Sequence, residues 1–260
     1  MKKFWMALSL AGLMTAPDLF ASVTYQINNG GLESFNVTID NQSINGALAG
    51  GIQINRMSGD TSMPSSYVTV CTDIEGTLYL GQQYTYNSPV TPFSGQSGID
   101  PNWGDGSNDG SAAKAIQNAA FLFNTYGQLT STGLGGTTEQ KAALQLAVWA
   151  ALYNTTTSGS VTGSRFSFAA SGADANAINT DVNAWLLDLT GNYDLPGYLL
   201  FPSQLTGVNA DGQPPQELLI GVLPGMPTAV PEAPTVITGA LLLLPFAAST
   251  IRILRRKHGK

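Results

Sequence analysis

At 260 residues, 43% of them hydrophobic and only 11% charged, the chain has enough apolar material for a core and too little charge for a disordered protein. Acidic residues number 17 against 11 basic ones, and between residues 22 and 230 the only basic side chains are Arg56, Lys114, Lys141 and Arg165. That balance excludes a nucleic-acid binder, which needs Lys and Arg against phosphate. The single cysteine, Cys71, excludes an internal disulfide.

The chain opens with MKK, then FWMALSLAGLM, then APDLFAS, which is a basic region, an apolar run and a small-residue cleavage site. Residues 1–22 are therefore predicted to be a secretory signal peptide, ending near Ala21 or Ser22. Five stretches follow with β-branched and aromatic enrichment and partial alternation: SVTYQIN, ESFNVTI, GIQINR, YVTVCTDI and TLYLGQQYTY. They read as strands, and the breaks NNGG, DNQSING and SGDTSMPSS supply turn chemistry. NSPVTPFSGQSGIDPNWGDGSNDGS is a long Gly/Pro/Asn loop, of the kind that is usually functional or mobile. Within it, Asp105, Ser107, Asp109 and Gly110 match the first half of a calcium-binding loop. The twelfth position is Ile116 rather than the bidentate Glu, so no metal is assigned and a loose calcium site is the alternative to a plain loop.

Three helices come next. The first covers 111–126, with Gly127 placed to terminate it. The second starts at Thr137, where Thr137 and Gln140 have the capping-box spacing, and fades at Asn154. The third, 174–189, sets Ile178, Val182, Trp185 and Leu189 on one stripe. YLLFPSQL and QELLIGV are two further strands. No internal repeat is present. Strands, then helices, then strands predict an α+β fold, an antiparallel β sandwich or barrel core with an inserted three-helix subdomain over residues 23–222. Residues 223–230 form a Pro-rich linker.

The second helix carries the most informative residue. Its apolar side chains cover nearly the whole circumference, so it belongs inside the protein, and Gln145 in its middle is out of water. A buried primary amide without partners costs about 1–3 kcal/mol, so something must satisfy it or react with it. Cys71 raises a parallel question. An odd thiol in an exported chain is either an inert buried group or a reactive one.

Two resemblances bear on these features. Pro231, Glu232 and Pro234 lead directly into an uncharged segment at 235–251, which is just long enough to span a bilayer, and then into a tail with Arg252, Arg255 and Arg256. A single-span membrane anchor with a cytoplasmic basic end accounts for the pattern, and residues 231–260 are also similar to the PEP-CTERM sorting signal. That resemblance implies an exosortase-type sorting enzyme as a partner, transient anchoring by the C-terminal transmembrane helix, and release to the cell surface or extracellular matrix of a Gram-negative bacterium. His258 lies in the part to be removed, which excludes His-dependent catalysis in the mature protein.

The motif Leu144-Gln145-Leu146-Ala147-Val148-Trp149, with an upstream strand Cys before an Asp, resembles the TQXA-type thioester domain of bacterial surface adhesins. Val70 and Thr72 flank the cysteine here, where that family more often has an aromatic residue or Leu before it and an apolar residue after. The resemblance implies that Cys71 and Gln145 join as an internal thioester, with loss of ammonia, and that the bond captures an amine of a partner surface protein or a hydroxyl of an exopolysaccharide. It implies tethering rather than turnover, so the protein is not expected to be an enzyme and needs no cofactor.

A rigid strand facing a rigid helix is what such chemistry requires, together with cover against water. Trp149, one turn beyond Gln145, is the candidate lid, with plain core packing as its alternative. Lys141, one turn before, is either a solvated residue at the helix start or an amine that must point away. Asp73, two residues after Cys71, either accepts backbone donors near the site or caps a turn. Two other functions stay open: a structural surface protein of the same fold without the thioester, and an exported hydrolase working through two carboxylates.

Overall fold

In the computed structural model of the chain, which describes residues 21–61, 63–74, 78–88, 111–154, 165–170, 172–189, 198–200 and 216–220, an antiparallel sheet is combined with three helices. The first two strands, β1 (Ala21–Ile39) and β2 (Gln42–Gly59), form one long hairpin. Its turn is Asp40-Asn41, both at positive φ (47° and 65°), which is the pairing a two-residue loop needs to match the strand twist. Each strand absorbs a break that the sequence reading placed as a turn. At NNGG the Asn29 Oδ1 accepts from the N–H groups of Gly31 (2.8 Å) and Leu32 (3.1 Å), so the Asn and Gly make a bulge inside β1 rather than a reversal. Only Asp40-Asn41 of DNQSING turns, and the rest continues β2.

The remaining strands are β3 (Ser66–Cys71), β4 (Gln83–Ser88), β5 (Phe166–Ala169), β6 (Tyr198–Leu200) and β7 (Leu218–Ile220), in spatial order β4-β1-β2-β3-β7-β6, with β5 pairing the far end of β1. β4 is shorter than expected because Gly81 (φ 84°) turns the chain and leaves Tyr79 and Leu80 exposed. β3 stops at Cys71, so Asp73 stands in the bend that follows and not on the strand. β5 was not foreseen from the sequence.

The helices α1 (Ser111–Tyr126), α2 (Thr138–Asn154) and α3 (Ala175–Leu187) lie in the chain between β4 and β6. α3 is shorter than predicted at both ends. Beyond α1 the Gly127 N–H closes onto the Phe123 carbonyl, while the left-handed residue is Gln128 (φ 46°) rather than the glycine. The capping box at α2 forms as its spacing predicts: Gln140 N–H donates to Thr137 Oγ1 (3.3 Å), and Thr137 N–H donates to Gln140 Oε1 (3.0 Å). From Ala142 to Asn154 every residue of α2 is buried, because the helix packs on β1 and β2 with α1, α3 and β5 around it.

Glycines at the bulge let the helix come this close. A Cβ on Gly51 would lie 2.7 Å from the Gly30 carbonyl oxygen, 2.8 Å from Val68 Cγ1 and 3.0 Å from Lys141 Cδ. Gly51→Ala is therefore expected to cost about 1–3 kcal/mol by overpacking. The urea midpoint checks this, and an unchanged midpoint would show that α2 is not seated on this cradle.

The signal peptide up to residue 20, the Asp105–Asp109 loop, the linker and the whole C-terminal segment, with Pro231, Glu232, Pro234, the span 235–251 and Arg252, Arg255 and Arg256, lie outside the described residues. Ala21 and Ser22, at the expected signal boundary, already belong to β1. Among the described residues no helix is long and apolar enough to cross a membrane.

Candidate functional site

β2 and β3 pair with Ile52 opposite Thr69 and Ile54 opposite Tyr67. Two residues further, the same register would set Cys71 against Gly50. Gly50, at φ 136°, opposes Leu32 of β1, and the β2–β3 ladder ends at the Ile52–Thr69 pair, short of Cys71. Cys71 opposes Leu218 of β7 on its other edge, and its backbone N–H and C=O face α2, where a buried chain must find them partners.

Gln145 fills the vacancy with its side chain. The Cys71 N–H donates to Gln145 Oε1 at 2.9 Å, and Gln145 Nε2 donates to the Cys71 carbonyl at 2.7 Å, so the amide acts as the missing strand residue. The same oxygen lies 3.5 Å from Cys71 Sγ. Gln145 is 0% exposed and Cys71 is 2% exposed. The structure thus brings together the two residues that the sequence singled out, in a site closed to water.

α2 repeats this approach along one stripe with a four-residue step. Lys141 Nζ donates to the Gly30 carbonyl (3.0 Å), which ties the amine to the β1 bulge. Trp149 is 1% exposed and packs edge-on to Phe166, with centroids 6.1 Å apart. It is a wall of the core, not a lid facing solvent. Its Nε1–H meets no acceptor at hydrogen-bonding geometry among the described residues. One turn on, the Tyr153 hydroxyl accepts from the Ile74 N–H (3.3 Å), just past Asp73.

Burial pushes the Cys71 thiol well above its ordinary range, and the Asp73 charge pushes it further, while a backbone hydrogen bond and the Trp149 indole act the other way. The sulfur therefore rests as a neutral thiol. Asp73 is half-buried and opposes the thiolate rather than promoting it. Tyr86 on β4, fully buried with a hydroxyl that meets no partner among the described residues, is held un-ionised by burial first, then by Tyr84 and Cys71.

The arrangement suits one condensation. Sulfur adds to the amide carbon, and the Cys71 N–H, already on Oε1, receives the developing oxyanion. The C–N bond then breaks, the thiol proton leaves with the nitrogen as ammonia, and a thioester remains. The pair is held before any reaction, so proximity stands in for an activated nucleophile.

Sequence reading missed Tyr86, Tyr153 and Asn154. Asn154 makes a second clamp of the same form on β5: its Nδ2 donates to the Phe166 carbonyl (2.9 Å), and the Phe166 N–H donates to its Oδ1 (2.8 Å). An Asn at the end of an apolar helix was legible as a polar outlier, but its partner strand was not. Among the described residues no three of His, Cys, Asp and Glu gather as metal ligands would. Comparison of the chain with protein families, curated proteins and solved structures finds no match.

Proposed function

We propose that this is an exported surface or matrix protein in which Cys71 and Gln145 condense to an internal thioester that captures a partner covalently. In this reading an N-terminal signal exports the chain and a C-terminal helix anchors it for a time. An exosortase-type enzyme, recognising the Pro231–Pro234 region, then releases it to the cell surface or the extracellular matrix of a Gram-negative bacterium. The domain is a barrel-like core carrying an inserted helical subdomain. Capture by an amine or hydroxyl opens the thioester at the Gln145 carbonyl and returns Cys71 as a thiol. The protein acts once, as a tether and not as an enzyme of turnover.

The observation that carries the proposal is the Gln145 carbonyl oxygen, 2.9 Å from the Cys71 N–H and 3.5 Å from its sulfur, in a site from which water is excluded. A dry site protects a thioester from hydrolysis.

The Asn154–Phe166 clamp favours a second reading, because it has the same amide-to-backbone bonding with no sulfur. On that reading Gln145 is a structural clamp alone, and the protein is an unreactive coat component. Intact mass separates the two. The thioester form is lighter than its sequence by one ammonia, gains methylamine when challenged with it, and exposes a new alkylatable thiol; Cys71→Ala does none of this. A wild-type mass equal to that of the unmodified residues, with no methylamine uptake, overturns the thioester and leaves the clamp.

A further inference from the structure

Lys141 stands one helical turn before Gln145 on the same stripe of α2. Between residues 22 and 230 the only lysines are Lys114 and Lys141, so one of the two sits beside the amide that is to become an electrophile. An amine is also the kind of nucleophile that a thioester captures. The chain gives this amine a seat. The register between β1 and β2 skips Gly30 and Gly31, and the Gly30 carbonyl accepts from Lys141 Nζ at 3.0 Å. The stem lies where two side chains are missing: a Cβ on Gly51 would stand 3.0 Å from Lys141 Cδ, and one on Gly31 would stand 3.4 Å from the same atom. A lysine at a helix start ordinarily runs out into water. This one is half-buried, with its stem in a groove of glycines and its nitrogen on a backbone oxygen.

We propose that the seat formed by Gly30, Gly31 and Gly51 is a guard, which restrains Lys141 so that the thioester is kept for an outside nucleophile. The guard rests on the thioester reading. In the reaction that it prevents, Lys141 Nζ bonds to the side-chain carbonyl carbon of Gln145, the C–S bond breaks, and its electron pair goes to sulfur. A proton passes from the amine to that sulfur, which leaves a Lys141–Gln145 isopeptide bond and a free Cys71 thiol. Residues four apart on a helix are neighbours, so reach alone does not forbid this product. Holding the stem at Cδ and the amine at Nζ does, because the side chain can no longer swing toward Gln145. The seat thus decides between self-capture and capture of a partner.

The test compares the full chain with its Lys141→Arg variant, which keeps a donor for Gly30 and has no nucleophilic amine. Both are held without added amine at a pH of about 9, where a lysine of an unfolded chain is partly neutral, in buffer and in urea beyond the midpoint. Peptide mapping reads the Lys141–Gln145 crosslink, and methylamine uptake reads the surviving thioester. In buffer the two proteins are expected to keep the thioester equally, within about twofold, and without crosslink. In urea the wild type forms the crosslink, about tenfold or more above its level in buffer, while Lys141→Arg only hydrolyses. Gly51→Val fills the groove: the folded variant is expected to crosslink in buffer and to lose methylamine uptake, and adding Lys141→Arg restores the uptake. A merely structural lysine would move neither readout. Crosslink in the native wild type, none in urea, or a folded Gly51→Val that takes up methylamine as wild type does, each overturns the guard and leaves the thioester reading intact. If Gly51→Val does not fold, the comparison of buffer with urea decides. A wild-type protein that loses no ammonia overturns both.

Discussion

In a Cys71→Ala background, where no thioester can form, Gln145→Leu is expected to lower the unfolding free energy by about 2–6 kcal/mol. The size of the loss follows from what the amide replaces. Beyond Thr69 the ladder between β2 and β3 ends, and the Cys71 N–H and C=O are partnered by Gln145, at 2.9 and 2.7 Å. Leucine offers neither a donor nor an acceptor, and each buried backbone group left alone costs about 1–3 kcal/mol. The side chain is similar in size, so cavity terms stay small beside this. Asn154→Leu, which orphans the N–H and C=O of Phe166, should cost a like amount and gives an internal standard free of sulfur chemistry. Urea unfolding with an unchanged slope measures both. A loss under about 1 kcal/mol for Gln145→Leu would show that the strand end does not need the amide, and that the residue is present for another reason.

The same residues explain where the sequence was legible and where it was not. Local signals carried through. Thr137 and Gln140 announce a helix start by themselves, and the structure has that reciprocal pair of bonds. An all-round apolar helix with one Gln told that the Gln was buried, which follows from periodicity alone. Ambiguity entered where one residue type serves two geometries. Asn and Gly at NNGG can reverse a chain or bulge it, and only pairing across β1 and β2 decides between them. The end of the β2–β3 ladder short of Cys71 has no local mark either, so the reason Gln145 meets Cys71 was not readable from either motif. Tertiary partners were likewise hidden. β5 is four residues long, and its pairing with the end of β1 has no local mark. The Tyr153 bond to Ile74 arises only once α2 lies on the sheet, and the burial of a Tyr86 hydroxyl that meets no partner among the described residues has no local mark either.

Exchanging the amide for a carboxyl keeps the shape and changes one donor, so Gln145→Glu, also on Cys71→Ala, isolates what Nε2 contributes. The ionised carboxylate of this variant would set an oxygen against the residue-71 carbonyl where Nε2 now donates at 2.7 Å, in a site with 0% exposure. A buried charge without a partner costs about 3–5 kcal/mol, so the variant should be the least stable of the series at neutral pH. The neutral acid behaves differently. Its O–H can donate to that carbonyl while its other oxygen accepts from the N–H of the same residue, which restores both bonds. Burial and the facing carbonyl therefore raise the folded-state pKa of the introduced carboxyl above its unfolded value near about 4.3. With that sign the folded state holds a proton that the unfolded state releases. Stability relative to the amide parent is close to full below the unfolded pKa, falls by about 1.4 kcal/mol per pH unit above it, and levels off past the folded pKa. Urea unfolding of the two proteins across that pH range reads the difference directly. A carboxyl that merely packed badly would cost the same at every pH, whereas one standing in for a strand residue costs only when it has lost the proton to give.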